Sequence, residues 1–122
     1  MATLGNNVFD QGLNYLDTNG TRLDICSTEP TTYAEATSTY SLGNKTSLNI
    51  GAPADRGGGG REVTVPQITD GSVTADGTAA FYAITNGSNE LLATGSLSSS
   101  QGVTNGNTFT LTSFTIGIPD PA

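Results

Sequence analysis

Asn-Gly and Asp-Gly pairs recur at Asp70-Gly71, Asp76-Gly77, Asn86-Gly87 and Asn105-Gly106, and they punctuate the second half of the chain into short runs. Such pairs favour tight turns, because Asn, Asp and Gly tolerate left-handed backbone that other residues avoid. Between them apolar and polar side chains alternate with the period of two that a half-buried strand requires. Val63 and Val65 follow this rule, as do Phe81 and Ala83 against Tyr82 and Ile84, Phe109 and Leu111, and then Phe114, Ile116 and Ile118. Alternating runs with a turn signal roughly every ten residues predict an all-β fold, an antiparallel β-sandwich or barrel-like domain. Asp70-Gly71 and Asp76-Gly77 read as turns around a short Ser-Val-Thr piece. Asn86-Gly87 reads as the two-residue type I′ turn of a hairpin that returns through residues 91–97, and Asn105-Gly106 as a second hairpin turn. The apolar parity changes between Leu111 and Phe114, which predicts a bulge at Thr112 or Ser113.

The first half is organised differently. Leu4, Val8 or Phe9, Leu13 and Leu16 recur near the helical period, with Asn6 or Asn7 available as N-cap and Asn19-Gly20 as a left-handed stop. Residues 1–20 are therefore expected to form a short N-terminal helix or arm, and residues 21–122 one antiparallel β domain. Gly12 lowers helix propensity by about 1 kcal/mol, so this helix must be held by packing. From Thr21 the period becomes two, with Leu23 and Ile25 facing one way and Arg22, Asp24 and Cys26 the other. Ser27-Thr28-Glu29-Pro30 stops that strand, since proline cannot donate to a ladder. Residues 31–50 carry fewer apolar anchors and read as short strands at 40–42 and 47–50. Residues 51–61, with four successive glycines, read as a flexible loop.

Composition narrows the function classes. A chain of 122 residues is one domain's worth, and its sole cysteine, Cys26, has no partner within it. Cys26 reads as a small apolar strand residue, because Arg22, four residues along the strand, lies too far away, at roughly 13 Å, to activate it. Eleven acidic and four basic residues give a formal charge of −7, which repels nucleic acid, so no direct DNA or RNA binding is expected. No apolar run approaches the roughly 20 residues of a membrane-spanning helix, and no membrane partner is expected. The opening residues lack the basic and apolar regions of a secretory signal, so synthesis in a cytoplasm is expected.

The absence of histidine removes the usual general base, the Ser-His-Asp arrangement and the commonest zinc ligand, and no catalytic, cofactor or metal site is expected. A carboxylate pair, Asp70 with Asp76 or Asp24 with Glu62, is the remaining catalytic option, although turn geometry already accounts for both Asp-Gly pairs. Asp17-Thr18-Asn19-Gly20 resembles the start of a calcium loop but lacks the spacing and the distal glutamate, and helix termination explains it better. Arg56 and Arg61 flank the glycine run. They are read either as a mobile hairpin tip or as a docking loop whose arginines pair with a partner's carboxylates.

From Arg22 onward the chain resembles small virion structural proteins of tailed phages and prophages. The likeness is carried by the Ser27-Thr28-Glu29-Pro30 turn and by the glycine-rich loop running into Arg61-Glu-Val-Thr-Val65. It continues through Gly71 to Thr74, Tyr82 to Gly87, Leu91 to Leu97 and Val103 to Phe109. The resemblance implies a particle component. The leading expectation is a capsid decoration or cement protein in the virion, a homo-oligomer with a trimer favoured. It would bind the major capsid protein through Leu4, Val8, Phe9, Arg56 and Arg61. A tail, neck or fibre component is the alternative within the particle. A carbohydrate-binding module built on Tyr33, Tyr40 and Tyr82 is the alternative from another class.

Overall fold

The structure, a computed structural model, describes residues 5–119. Helix α1 (Asn6–Asn19) buries Phe9, Leu13 and Leu16, three positions that share one face at helical spacing. Its N-cap is Gly5 in extended geometry, with no side-chain cap bond, so neither Asn6 nor Asn7 plays the expected part. Its last turn closes through the Gly20 N–H, which donates to the Leu16 carbonyl at 2.7 Å. Gly20 has φ −79°, not the left-handed value expected of a stop. A Cβ there would lie 2.6 Å from the Leu16 oxygen and 3.0 Å from both Ile50 and Ile84, so close approach is what calls for glycine.

Nine strands follow among the described residues: β1 (Arg22–Cys26), β2 (Ser41–Thr46), β3 (Ala54–Asp55), β4 (Arg61–Val65), β5 (Ile68–Val73), β6 (Gly77–Thr85), β7 (Leu91–Val103), β8 (Thr108–Leu111) and β9 (Phe114–Ile118). Six form one sheet in the order β7-β6-β1-β2-β5-β8, three form a second in the order β3-β4-β9, and every pairing is antiparallel. The large sheet curls into a half-barrel, the barrel-like all-β architecture that the alternation predicted. The main core collects Leu13 and Leu16 of α1, Leu23, Ile25, Val63, Val65, Ile84 and Phe109. Strand β1 lies centrally and is buried on both faces: Leu23 and Ile25 enter that core, while Cys26 joins Ala36 and Ala83 beneath a π-helical turn (Glu35–Thr39).

Several local expectations change for identifiable reasons. Residues 47–50 are not a strand. Ser47 takes φ 57° and redirects the chain, the Leu48 N–H donates to the Thr21 carbonyl at 2.9 Å, and Leu48 and Ile50 reach the core from an irregular segment. Residues 51–61 are not a free loop, because β3 pairs with β4 and Gly58, Gly59 and Gly60, all at positive φ, make the turn of that hairpin. Asp70-Gly71 is not a turn but an irregularity within β5, where the register against β8 shifts between Ile68 and Gly71. The Phe109 ring occupies the space a side chain at position 71 would need.

Asn86-Gly87 does begin a hairpin loop, but a longer one than expected. The Asn86 carboxamide oxygen accepts from the N–H groups of Ser88, Asn89 and Glu90 at 2.9–3.0 Å, and this Asx geometry sets a five-residue loop from 86 to 90. Asn105-Gly106 joins no hairpin pair: β7 and β8 are the opposite edges of the large sheet, and the turn carries the chain from one edge to the other. The turn is tied down where the Asp76 carboxylate accepts from the Asn105 N–H at 2.7 Å and the Val73 carbonyl from the Gly106 N–H at 3.0 Å. Thr112 and Ser113 are not a bulge. The chain leaves the large sheet at Leu111 and enters the small one at Phe114, and that change of sheet produces the change of parity.

Candidate functional site

The residues expected to reach a partner are dispersed by the fold. Leu4 lies outside the described residues. Val8 is 60% exposed, but its neighbour Phe9 is 2% exposed and belongs to the core, because one step along a helix turns the side chain by roughly 100°. Phe9 is therefore a packing residue of α1. Arg61 is not free to clamp an outside carboxylate: its Nε donates to Asp10 Oδ1 at 2.9 Å and its Nη1 to Asp55 Oδ1 at 2.6 Å. Asp10, then Asp55, hold its guanidinium above the ordinary arginine range. This triad fastens α1 to the β3–β4 hairpin. Arg56 Nη1 donates to the Gly59 carbonyl at 3.0 Å and braces the glycine turn from within. Both arginines thus bond within the protein, Arg56 to the glycine turn and Arg61 to Asp10 and Asp55, which corrects the reading of a mobile tip and, for Arg61, that of a free docking fork.

The carboxylates considered for catalysis are likewise engaged or apart. Asp24, fully buried, accepts a bidentate pair from Arg22 at 2.7 and 3.0 Å and a further bond from the Ser41 hydroxyl at 2.7 Å. Asp70 pairs with Lys45 at 3.0 Å, Asp76 caps the 104–107 turn, and Glu62 sits in the other sheet. Cys26 is buried with its Sγ donating to the Ala36 carbonyl at 3.6 Å. Burial first, and the Asp24 carboxylate second, push its thiol up to about 12. The native thiol is accordingly expected to resist an aromatic disulfide reagent at pH 8 and to react at once in denaturant. The same shift has a sign for stability. The folded pKa exceeds the unfolded one, so this contribution is intact below the ordinary thiol range and falls as pH climbs towards about 12.

Tyr40 and Tyr82 do not converge. Strand parity sends Tyr82 toward the main core, while Tyr40 packs on the Cys26 cluster across the sheet. Tyr82 instead meets Phe114, ring centroids 4.5 Å apart and tilted by 45°. Its ring lies across Gly95 of the paired strand, within 2.6–2.8 Å of where a Cβ would be, so only glycine fits opposite it.

Two surface features stand out. On α1, Val8, Gly12 and Tyr15 share an outer face, and Ile118 of β9 approaches within 3.8 Å of where a Gly12 Cβ would lie. Val8, Tyr15 (51% exposed) and Ile118 (36%) therefore form an apolar strip beside β9, an edge strand of the small sheet among the described residues. Tyr15 keeps its polar end fixed by donating to Glu90 at 2.6 Å. The second feature is a cleft of about 480 Å³ between the β7 edge and the chain running from β8 into β9. It opens because β7 leaves the ladder. Ala79 faces Gln101 and Phe81 faces Ser96, so residues 97–100 bulge away opposite Ala80 alone. Tyr82, Phe114, Leu97 and Leu111 form its apolar lining, and serine, threonine and glutamine side chains the rest.

Sequence reasoning missed Tyr15, Ile118 and Phe114 as surface or cleft residues. Tyr15 stands seven positions after Val8 and could have been found on the helical period. The pairing of Phe114 with Tyr82 depends on the change of sheet and had no local signal. Comparison with family models, with curated proteins and with solved structures returned no match for this chain.

Proposed function

We propose that this chain is a structural component of a virus particle, a capsid decoration or cement protein that docks on the major capsid protein. The observation that carries the reading is the apolar strip of Val8, Tyr15 and Ile118 beside β9, which among the described residues is an edge strand. Large apolar side chains grouped at a strand edge are a liability for a free monomer and a resource for an assembling one. The Arg61 triad supports the same reading, because it fastens α1 to the small sheet and presents helix and edge as one rigid face. A formal charge of −7 keeps such a part off packaged nucleic acid. Many copies on a repetitive lattice would hold by avidity even where each contact is weak.

Quantitative mass spectrometry of density-purified, DNA-filled particles tests the reading. The expected result is a copy number in fixed proportion to the major shell protein. A copy number of a few per particle would move the chain to the tail, neck or fibre, and its absence from particles would remove it from the virion altogether.

A further inference from the structure

The cleft between β7 and the β8–β9 segment is unlike the rest of the molecule in one respect. The chain carries a formal charge of −7, yet among the described residues no charged side chain lines this cavity of about 480 Å³. Its volume falls within the roughly 300–1,000 Å³ of small-molecule sites. Its lining includes the aromatic pair Tyr82 and Phe114, whose ring centroids lie 4.5 Å apart. Its lining includes Ser98, Thr112, Gln67 and Gln101, residues whose side chains both donate and accept. An apolar ring face surrounded by neutral donor–acceptor groups matches a ligand with an apolar C–H face and a rim of hydroxyls.

An added peptide strand fits the place less well. Strand addition needs a continuous run of free backbone groups, whereas residues 97–100 of β7 are bulged out of register. One edge carbonyl of β8, that of Thr110, already accepts from the Gln101 side chain at 3.4 Å. Among the described residues the lining offers charged ligands no counter-ion.

We infer that this cleft is a binding site for a neutral saccharide, with one sugar ring stacked on Tyr82 and Phe114 and its hydroxyls bonded to Gln67, Gln101, Ser98 and Thr112. None of Val8, Tyr15 and Ile118, the residues of the apolar strip, lines this cleft. A single copy would bind weakly, and an array of copies would bind by avidity.

The test is a glycan array printed with neutral hexose and N-acetylhexosamine oligosaccharides beside sialylated and uronate-bearing ones, probed with the labelled full chain. Binding to neutral glycans is expected. Titration of the best neutral oligosaccharide should show at least a tenfold weakening in Phe114→Ala and in Thr112→Glu. Thr112 is exposed at the rim, so its substitution tests the site without disturbing the core. The inference is overturned by no binding to any neutral glycan, by binding confined to anionic glycans, or by neutral-glycan binding that Thr112→Glu leaves unchanged in a variant of native melting temperature.

Discussion

Phe109→Ala is expected to cost about 4 kcal/mol, in the range found when a buried aromatic is truncated. Phe109 is 2% exposed, and its ring packs directly on Gly71, the position where β5 shifts register against β8. Domains of this kind hold roughly 5–15 kcal/mol in total, so the variant should melt more than about 10 °C lower. The coupling with Gly71 is a sharper test than the loss itself. Gly71→Ala alone should also destabilise, because its Cβ would enter the ring. In the Phe109→Ala background the same change should be nearly neutral. Urea denaturation of the four proteins gives the interaction directly, and additive losses would show that the ring and Gly71 do not compete for one space.

Removing Arg22 is expected to cost more than neutralising its partner. Asp24 is fully buried on β1, and its ligands are the Arg22 guanidinium and the Ser41 hydroxyl. Arg22→Ala leaves a carboxylate in the interior with one hydroxyl to face it, a loss of about 3 kcal/mol or more by analogy with broken buried pairs. Asp24→Asn leaves a neutral group that can still bond to Ser41, and Arg22, whose side chain keeps 24% of its exposure, can turn to water. Its cost should be smaller, about 1–2 kcal/mol. Replacing both by leucine should recover most of the Arg22→Ala loss, since the desolvation of both charges then disappears. Equal losses for the two single variants, read from chemical denaturation midpoints, would contradict this ordering.

Legibility in the sequence followed the range of the interactions concerned. The alternation of Phe81 to Ile84 and of Leu23 with Ile25 reported strands correctly, because strand parity is a local property that burial on one face imprints on the chain. The glycine signals were read with less success. Gly87 and Gly106 lie at positive φ as turn glycines should, but Gly71 is there to admit the Phe109 ring and Gly95 to admit Tyr82. Such glycines answer to a partner distant in sequence, and a neighbouring Asp makes Gly71 indistinguishable from a turn. Arg61 was similarly opaque: its acidic partners Asp10 and Asp55 come from a helix and a neighbouring strand, and only the folded arrangement shows that its charge is already matched. The cleft was the least legible feature. It depends on three extra residues in β7 and on the change of sheet at Thr112 and Ser113, neither of which has a composition of its own.

The docking face is where the functional reading stands or falls. Val8→Asp combined with Tyr15→Ser alters two exposed side chains and leaves Phe9, Leu13 and Leu16 untouched, so the fold should be retained. The decisive measurement is binding of the purified chain to DNA-filled particles that lack it, wild type beside this double variant, with melting curves confirming that both are folded. The reading predicts saturable binding by the wild type in fixed proportion to the major shell protein and at least a tenfold loss in the variant. Equal binding by the two proteins would contradict the assigned face, and no binding by the wild type would contradict the assignment to the shell.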